Sequence, residues 1–351
     1  MRVAIVGATG NVGTALLRRI RQAQHERGDL QTDLQAIGIA RRLPDASAEP
    51  YDGAAWHSID VASVTAPARL AGVLAGCDAV VHLAWVLQPN RNEPFMRRIN
   101  VDGTANVLAA AAEAGVKQVV CASSVGAYSP GPKDPPVEES WPARGIASSH
   151  YSRWKGEQEA LLDEFIREHP DIAVARLRPG LIFQTDAGSQ IGRYFLGPRL
   201  AASPLGRILN RLRLPLLPVP AQFKFQVVHA DDIADAYWKV VDQRASGAFN
   251  VAADPVFTPE LLAGMLGARR ILNVPVGLVR AAVGCTWALR LQATDPGWID
   301  MAANVPVMST ARVREELGWT PRYNSLEAFQ AVLDGLSEGD GVQASPTLQP
   351  R

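Results

Sequence analysis

The stretch RVAIVGATGNVG, residues 2–13, constrains the fold more than any other. A short apolar, β-branched run stops at Gly7, and glycines recur at 10 and 13 before a helical pattern from about Val12 to Gln24. A strand, a glycine turn and a helix entered at once are the opening unit of a doubly wound α/β fold. Gly7 lets the chain turn tightly, Gly10 lets backbone approach a diphosphate, and Gly13 lets the helix pack close to the sheet. The diphosphate then lies against free N–H groups at the positive end of the helix, beside Thr9, Asn11 and Val12. The spacing is Gly-x-x-Gly-x-x-Gly rather than Gly-x-Gly-x-x-Gly.

The same alternation continues. LQAIGIA (34–40), AVVHLA (79–84), KQVVCAS (117–123) and IAVARLRP (172–179) read as strands. Between them lie helical stretches at 66–75, 100–115 and from Tyr151 to about Glu168. Strands that are apolar on both faces belong in a parallel sheet covered by helices on each side. The expected fold is therefore an α/β, Rossmann-type sheet over 1–180, with 225–255 returning to it. Residues 181–224 and 256–336 form a smaller, mostly helical substrate lobe, and the polar, Gly- and Pro-bearing 337–351 read as a disordered tail.

Composition narrows the function. Thirty-five basic residues balance thirty-five acidic ones, so no global field recruits nucleic acid or an anionic membrane. The basic segment RILNRLRL (207–214) reads as a solvated helical face. Cys77, Cys121 and Cys285 are scattered, and no His-x-x-x-His or Cys-x-x-Cys occurs, which argues against a disulfide framework or a metal site. The short N-terminal apolar run does not resemble a signal peptide, so a cytoplasmic setting is expected. Arg280 and Arg290 interrupt the one long apolar stretch, 271–293, which reads as a buried or amphipathic helix and not a membrane span.

The second strand carries the cofactor choice. A carboxylate there accepts hydrogen bonds from the ribose of NAD, but this chain has Ala40 followed by Arg41 and Arg42. A missing acid removes repulsion of a 2′-phosphate, and Arg41 can grip one in bidentate fashion, so NADP is favoured, with NAD the alternative. Asp60, in HSIDVAS, is a candidate adenine contact, with Val61 beside it.

HYSRWKGEQE places Tyr151 four residues before Lys155, on one helical face. With GATGNVG, DAVVHLA, NVDGTANVL, SSVGAY, YSRWK, LRPGLIF, VVHADDIADA and LGWTPRY in this order, the chain resembles the extended short-chain dehydrogenase/reductase family, the NAD-dependent epimerase/dehydratase group. That resemblance implies an enzyme in which Ser124 steadies a substrate oxygen and Tyr151 is the acid–base. It implies that Lys155 favours the phenolate and holds the nicotinamide ribose, with Asn100 supporting the relay or capping its helix. It also implies Leu83, Ala84 and Pro179 as cofactor contacts, and a homodimer.

Asp231 and Asp232 read as helix N-terminal caps, His229 as a residue closing the pocket or pinning the lobes, and His82 as a satisfied core residue. Nucleotide-sugar members follow the Arg-Pro strand with Asn and Tyr-Gly-Pro, whereas this chain has RPGLIFQTDAG and then apolar segments. A small apolar carbonyl or alcohol substrate is therefore expected. A nucleotide-sugar epimerase or dehydratase is the alternative, and a non-catalytic dinucleotide sensor a third.

Overall fold

The computed structural model describes residues 1–26, 34–88, 91–195 and 215–350. In chain order the first ten strands are β1 (Arg2–Val6), β2 (Gln35–Ala40), β3 (Ala54–Ser58), β4 (Ala79–His82), β5 (Gln118–Ala122), β6 (Ala173–Pro179), β7 (Leu181–Phe183), β8 (Leu216–Val219), β9 (Phe225–His229) and β10 (Gly247–Val251). Seven of them form one all-parallel sheet in the spatial order β3-β2-β1-β4-β5-β6-β10. The order reverses between β1 and β4, and that crevice is where such sheets bind ligands.

Period-two alternation assigns each strand residue to a layer. Val3 and Ile5 face one apolar layer, which they share with α1 (Asn11–Glu26) and with Ile233, Tyr237 and Val240. Ala4 and Val6 face the other, shared with α2 (Ala66–Leu74) and with Val107, Leu108 and Leu162. All of these are buried. Both faces of β1 are thus covered, which is why its sequence is a continuous apolar run with no polar alternation.

Several expectations are corrected. The helix predicted from 100 begins earlier, as α3 (Glu93–Arg97), with Asn92 accepting the Phe95 N–H as its cap. It continues through a wide turn, Arg98–Asp102, into α4 (Gly103–Glu113). Asn100 is therefore inside the helix and not its cap. Residues 225–255 return to the core only in part. The helix Ala230–Asp242 packs on the first layer and β10 joins the main sheet. β9 instead pairs with β7 and with the strand Ala253–Phe257 in a separate three-stranded sheet.

The apolar stretch at 271–293 is neither buried nor amphipathic. It gives a strand, Arg270–Asn273, and a helix, Val276–Ala288, of which no residue is buried. This helix lies outside both layers, tied down by the Arg280–Asp300 ion pair and a hydrogen bond from Arg91 to the Trp287 carbonyl. No helix among the described residues is long and apolar enough to cross a membrane. The segment 207–214 lies outside the described residues.

The tail expected to be disordered is folded against the glycine loop. Ser345 and Leu348 are fully buried, and Ser345 Oγ donates to the Thr9 carbonyl at 2.8 Å. Its composition matches that of a disordered segment, but its few apolar and hydroxyl groups find partners on the core.

Candidate active site

At the C-terminal ends of β1, β2, β4, β5 and β6 the chain encloses a cavity of about 540 Å³. All fourteen expected cofactor contacts line it: Gly7, Thr9, Gly10, Asn11, Val12, Gly13, Arg41, Asp60, Val61, Leu83, Ala84, Tyr151, Lys155 and Pro179. Ser124 lines it as well.

The glycine loop has the shape a dinucleotide needs. Gly7 sits at φ +92, and a Cβ there would stand 2.7 Å from the Ala84 nitrogen. A Cβ at Gly13 would stand 2.6 Å from the Gly7 carbonyl oxygen, so only glycine lets α1 start this close to the strand. Gly10 has nothing nearer than 3.4 Å, which leaves its outer face open to the cavity. The loop is pinned from the far side by Asn11, whose Oδ1 accepts from Gln184 Nε2 at 2.6 Å. An open concave face at the first turn of a 16-residue helix fits a diphosphate. Arg41 and Arg42, both exposed, follow β2, while Asp60 accepts the Ala62 N–H at 3.0 Å beside Val61.

The catalytic candidates come from β5 and α5 (His150–Glu168). Ser124 ends β5's extension, its Oγ accepting the Gly126 N–H at 3.0 Å, and it lines the cavity beside Tyr151, whose pKa it pulls down. Ser149 caps α5 through the Ser152 N–H and so places Tyr151 in the first turn. Lys155, one turn on, donates to the Ala122 carbonyl at 2.7 Å and to Gln158 Oε1 at 3.0 Å. Its ammonium lies 3.5 Å from the centre of the Trp85 ring.

Burial dominates the electrostatics of both groups. Burial pushes the Tyr151 phenol up to about 12, against a smaller downward pull from the Ser124 hydrogen bond. Burial also lowers Lys155 to about 7, with Cys121 and Glu159 pulling the other way. The Lys155 amine is engaged with a carbonyl, an amide and an indole face, while burial holds the phenol above its ordinary range.

Asn100 is not brought to the cavity. Its Oδ1 accepts the Val86 N–H at 2.8 Å and its Nδ2 donates to the Val86 carbonyl at 2.9 Å, so both ends are used to hold the loop carrying Trp85. Lys155 connects instead through Gln158 to Thr104. His82 bonds Thr104 at 3.0 Å, but its Nδ1 is buried without a partner. Burial lowers it to about 3 and keeps it neutral.

His229, not either aspartate, caps the helix Ala230–Asp242, and its ring packs on Tyr323 at 4.0 Å. Asp232 accepts the Arg322 and Tyr323 N–H groups at 2.9 and 3.0 Å, fastening LGWTPRY to the core. Asp231 pairs with Arg18 at 3.2 Å.

Sequence reasoning missed the walls beside Tyr151. The Trp298 ring centre lies 5.0 Å from that of Tyr151 and the Trp85 centre 5.9 Å from it, and Met301 and Val125 complete the surface. Trp85 directly follows the quoted DAVVHLA and was findable as a large ring at a strand's C-terminal end. Trp298 and Met301 come from the remote helix Gly297–Asn304, which no local pattern connects to the site.

A model of the NAD dependent epimerase/dehydratase family matches residues 3–252. An uncharacterized protein of Mycobacterium tuberculosis is 28% identical over 335 residues, covering 94% of this chain but 29% of that protein. The chain thus spans under a third of the length of the first curated relatives it matches. The 3-diazoavenalumate denitrifying reductase of a Streptomyces species is 27% identical over 338 residues, 93% of this chain and 97% of that one. Among solved structures, the UDP-glucose-4-epimerase of Stenotrophomonas maltophila, with bound NAD and formylated UDP-arabinopyranose, superposes with a TM-score of 0.66 at 19% identity. That superposition covers 96% of this chain and 98% of the epimerase, a likeness of fold.

Proposed function

Since the chain belongs to the NAD dependent epimerase/dehydratase family, we propose that it is an NADP-preferring reductase acting on a small, apolar, planar carbonyl compound. The observation that carries this is the charge distribution around the cavity. Among the described residues its charged lining groups are Arg41, Arg42, Asp60 and Lys155, all in the part assigned to the dinucleotide. The part beside Tyr151 is walled by Trp85, Val125, Trp298 and Met301, while uncharged Gln88, Gln190 and Tyr194 also line the cavity. A nucleotide sugar brings its own diphosphate and needs cations there, whereas an aromatic or aliphatic ketone needs apolar walls and one placed proton donor. The reductase relative from Streptomyces, which matches this chain along almost its whole length, supports the same side.

The dinucleotide supplies a hydride when bound. The loop Gly7–Gly13 holds its diphosphate, Arg41 the 2′-phosphate, and Asp60 with Val61 the adenine. Tyr151 Oη, protonated at neutral pH, gives its proton to the carbonyl oxygen as charge develops there. Ser124 Oγ, which lines the same cavity, steadies that oxygen. Lys155 stands ready on the same helical face to hold the ribose. The aromatic walls exclude water and set the plane of the substrate.

The assembled Ser124, Tyr151 and Lys155 weigh against a non-catalytic sensor. A reducing compartment and a homodimer are part of the proposal, the former in keeping with three free cysteines. The test is NADPH consumption on a panel of aryl and alkyl ketones and aldehydes beside UDP- and dTDP-sugars, with Tyr151→Phe as control. Net oxidation of NADPH by ketones, abolished in Tyr151→Phe, is expected. Conversion of a nucleotide sugar without net cofactor use would refute it.

A further inference from the structure

Residues 339–350 leave the helix Ser325–Glu338 at Gly339, which adopts φ +79 and turns the chain back towards the glycine loop. The segment then closes on itself. The Val342 N–H reaches the Leu348 carbonyl at 2.8 Å, and Ser345 Oγ accepts the N–H groups of Thr347 and Leu348, each at 3.1 Å. It is anchored at two separate points of the core. On one side the Asp45 N–H, in the loop after β2, donates to the Ala344 carbonyl at 2.9 Å. On the other, Arg193 of α6 (Gly188–Phe195) donates to the carbonyls of Gln349 and Thr347, at 3.0 and 3.4 Å.

Between these anchors the segment touches the glycine loop itself. Ser345 Oγ donates to the Thr9 carbonyl, and the hydroxyls of Thr347 and Thr9 lie 3.1 Å apart. Thr9 stands between Gly7 and Gly10, and both threonines line the cavity. A segment that merely packed on the surface would bury apolar side chains. This one also buries a serine completely to bind the loop carbonyl, and it presents a hydroxyl to the space that loop encloses.

We propose that residues 339–350 form a strap across the diphosphate end of the dinucleotide site, with Thr347 contributing a hydroxyl to the bound cofactor. Release of the cofactor then requires the strap to lift from Thr9 and Arg193. The proposal rests on the dinucleotide reading above and adds to it a binding element from the far end of the described chain.

The experiment measures NADPH binding by fluorescence titration and its release by stopped-flow displacement. It compares the parent protein, a variant ending at Gly339, and Thr347→Val, which keeps side-chain volume and removes the hydroxyl. Circular dichroism and melting of the ligand-free proteins report folding. The shortened variant is expected to release NADPH about tenfold faster or more, and Thr347→Val several-fold faster, the loss of one to two ordinary hydrogen bonds. Release rates within twofold of the parent in both variants would overturn the strap, as would tighter binding on shortening. If the shortened protein does not fold, Thr347→Val alone decides by the same twofold criterion. A parent protein that binds neither NADPH nor NADH would overturn the dinucleotide reading itself, and the strap with it.

Discussion

Gly126 offers the most direct test of how Tyr151 is held. It lies in the turn Val125–Ala127, between Ser124 and the start of α5, and its backbone is in a region open to any residue. Replacing it by alanine therefore acts through space alone. The new Cβ would stand 2.8 Å from Tyr151 Cε1 and 3.0 Å from Met301 Sδ, where ordinary contact begins at 3.4 Å. The phenol ring must retreat by roughly 0.6 Å, and Trp298 and Trp85 already pack on it. Overpacking of this kind costs about 1–3 kcal/mol in stability, tolerable for a folded protein. Misplacing a proton donor by a comparable distance costs about tenfold to a hundredfold in rate. The expected result for Gly126→Ala is a kcat lower by that factor, with NADPH affinity within twofold of the parent. Gly72→Ala is the control, since it meets nothing within 4 Å on a helix. It is expected to leave kcat alone and to gain up to about 1 kcal/mol of stability. A folded Gly126→Ala protein with undiminished kcat would refute the claim that the Tyr151 ring is locked from both faces.

Three other outcomes are expected. Arg41→Ala should weaken NADPH binding about tenfold or more while leaving NADH within twofold, by titration; equal losses for both would remove Arg41 from the 2′-phosphate. Lys155 is held at about 7 against an ordinary 10.5, so between those values the unfolded chain carries a proton that the folded chain lacks, and stability rises with pH across that window. Denaturation of the ligand-free parent and of Lys155→Met should therefore show a difference that moves in the parent's favour from pH 7 to 9; a flat difference would mean the ammonium is not buried. Glu159 bonds Arg176, Arg178 and Ser123 at 2.7, 2.8 and 2.5 Å within the core, so Glu159→Gln should cost about 3–5 kcal/mol in urea unfolding, and a loss under 1 kcal/mol would show that this network is not desolvated.

The centre of the main sheet was legible because β1, β2, β4, β5 and β6 are buried on both faces, which turns each into an apolar run. Register with the wrong sheet was not detectable at β9. FQVVH reads the same whether it pairs with β6 or with β7, and only the chain's path after Pro179 decides. The convergence of the expected cofactor contacts on one cavity was legible for a related reason. Its contacts lie at strand ends, where the sheet's topology fixes which residues converge. Trp298 and Met301 reach the site across more than 140 residues of sequence, and no periodicity encodes that meeting. Ser345 and Leu348 failed in the opposite way. Their surroundings of Gly, Pro, Gln and Ser carry the composition of a disordered segment, but one buried leucine and one hydroxyl aimed at a loop carbonyl give the segment a place to bind.

Tyr151 and Lys155 show most clearly what spacing does and does not convey. Four residues apart on a helix guarantees a shared face, but not that the ammonium acts on the phenol. Lys155 reaches past it to the Ala122 carbonyl at the end of β5 and to Gln158, and the indole of Trp85 covers it. Burial pushes the Tyr151 phenol up to about 12, outweighing the pull of the Ser124 hydroxyl. A phenol held near 12 is a poor base at neutral pH and a ready hydrogen-bond donor, the state a carbonyl substrate needs as its oxygen gains charge. An alcohol being oxidised needs the reverse, a phenolate to receive its proton. On the proposed reading, the apolar walls suited to a ketone would also set the protonation state in which Tyr151 could reduce it.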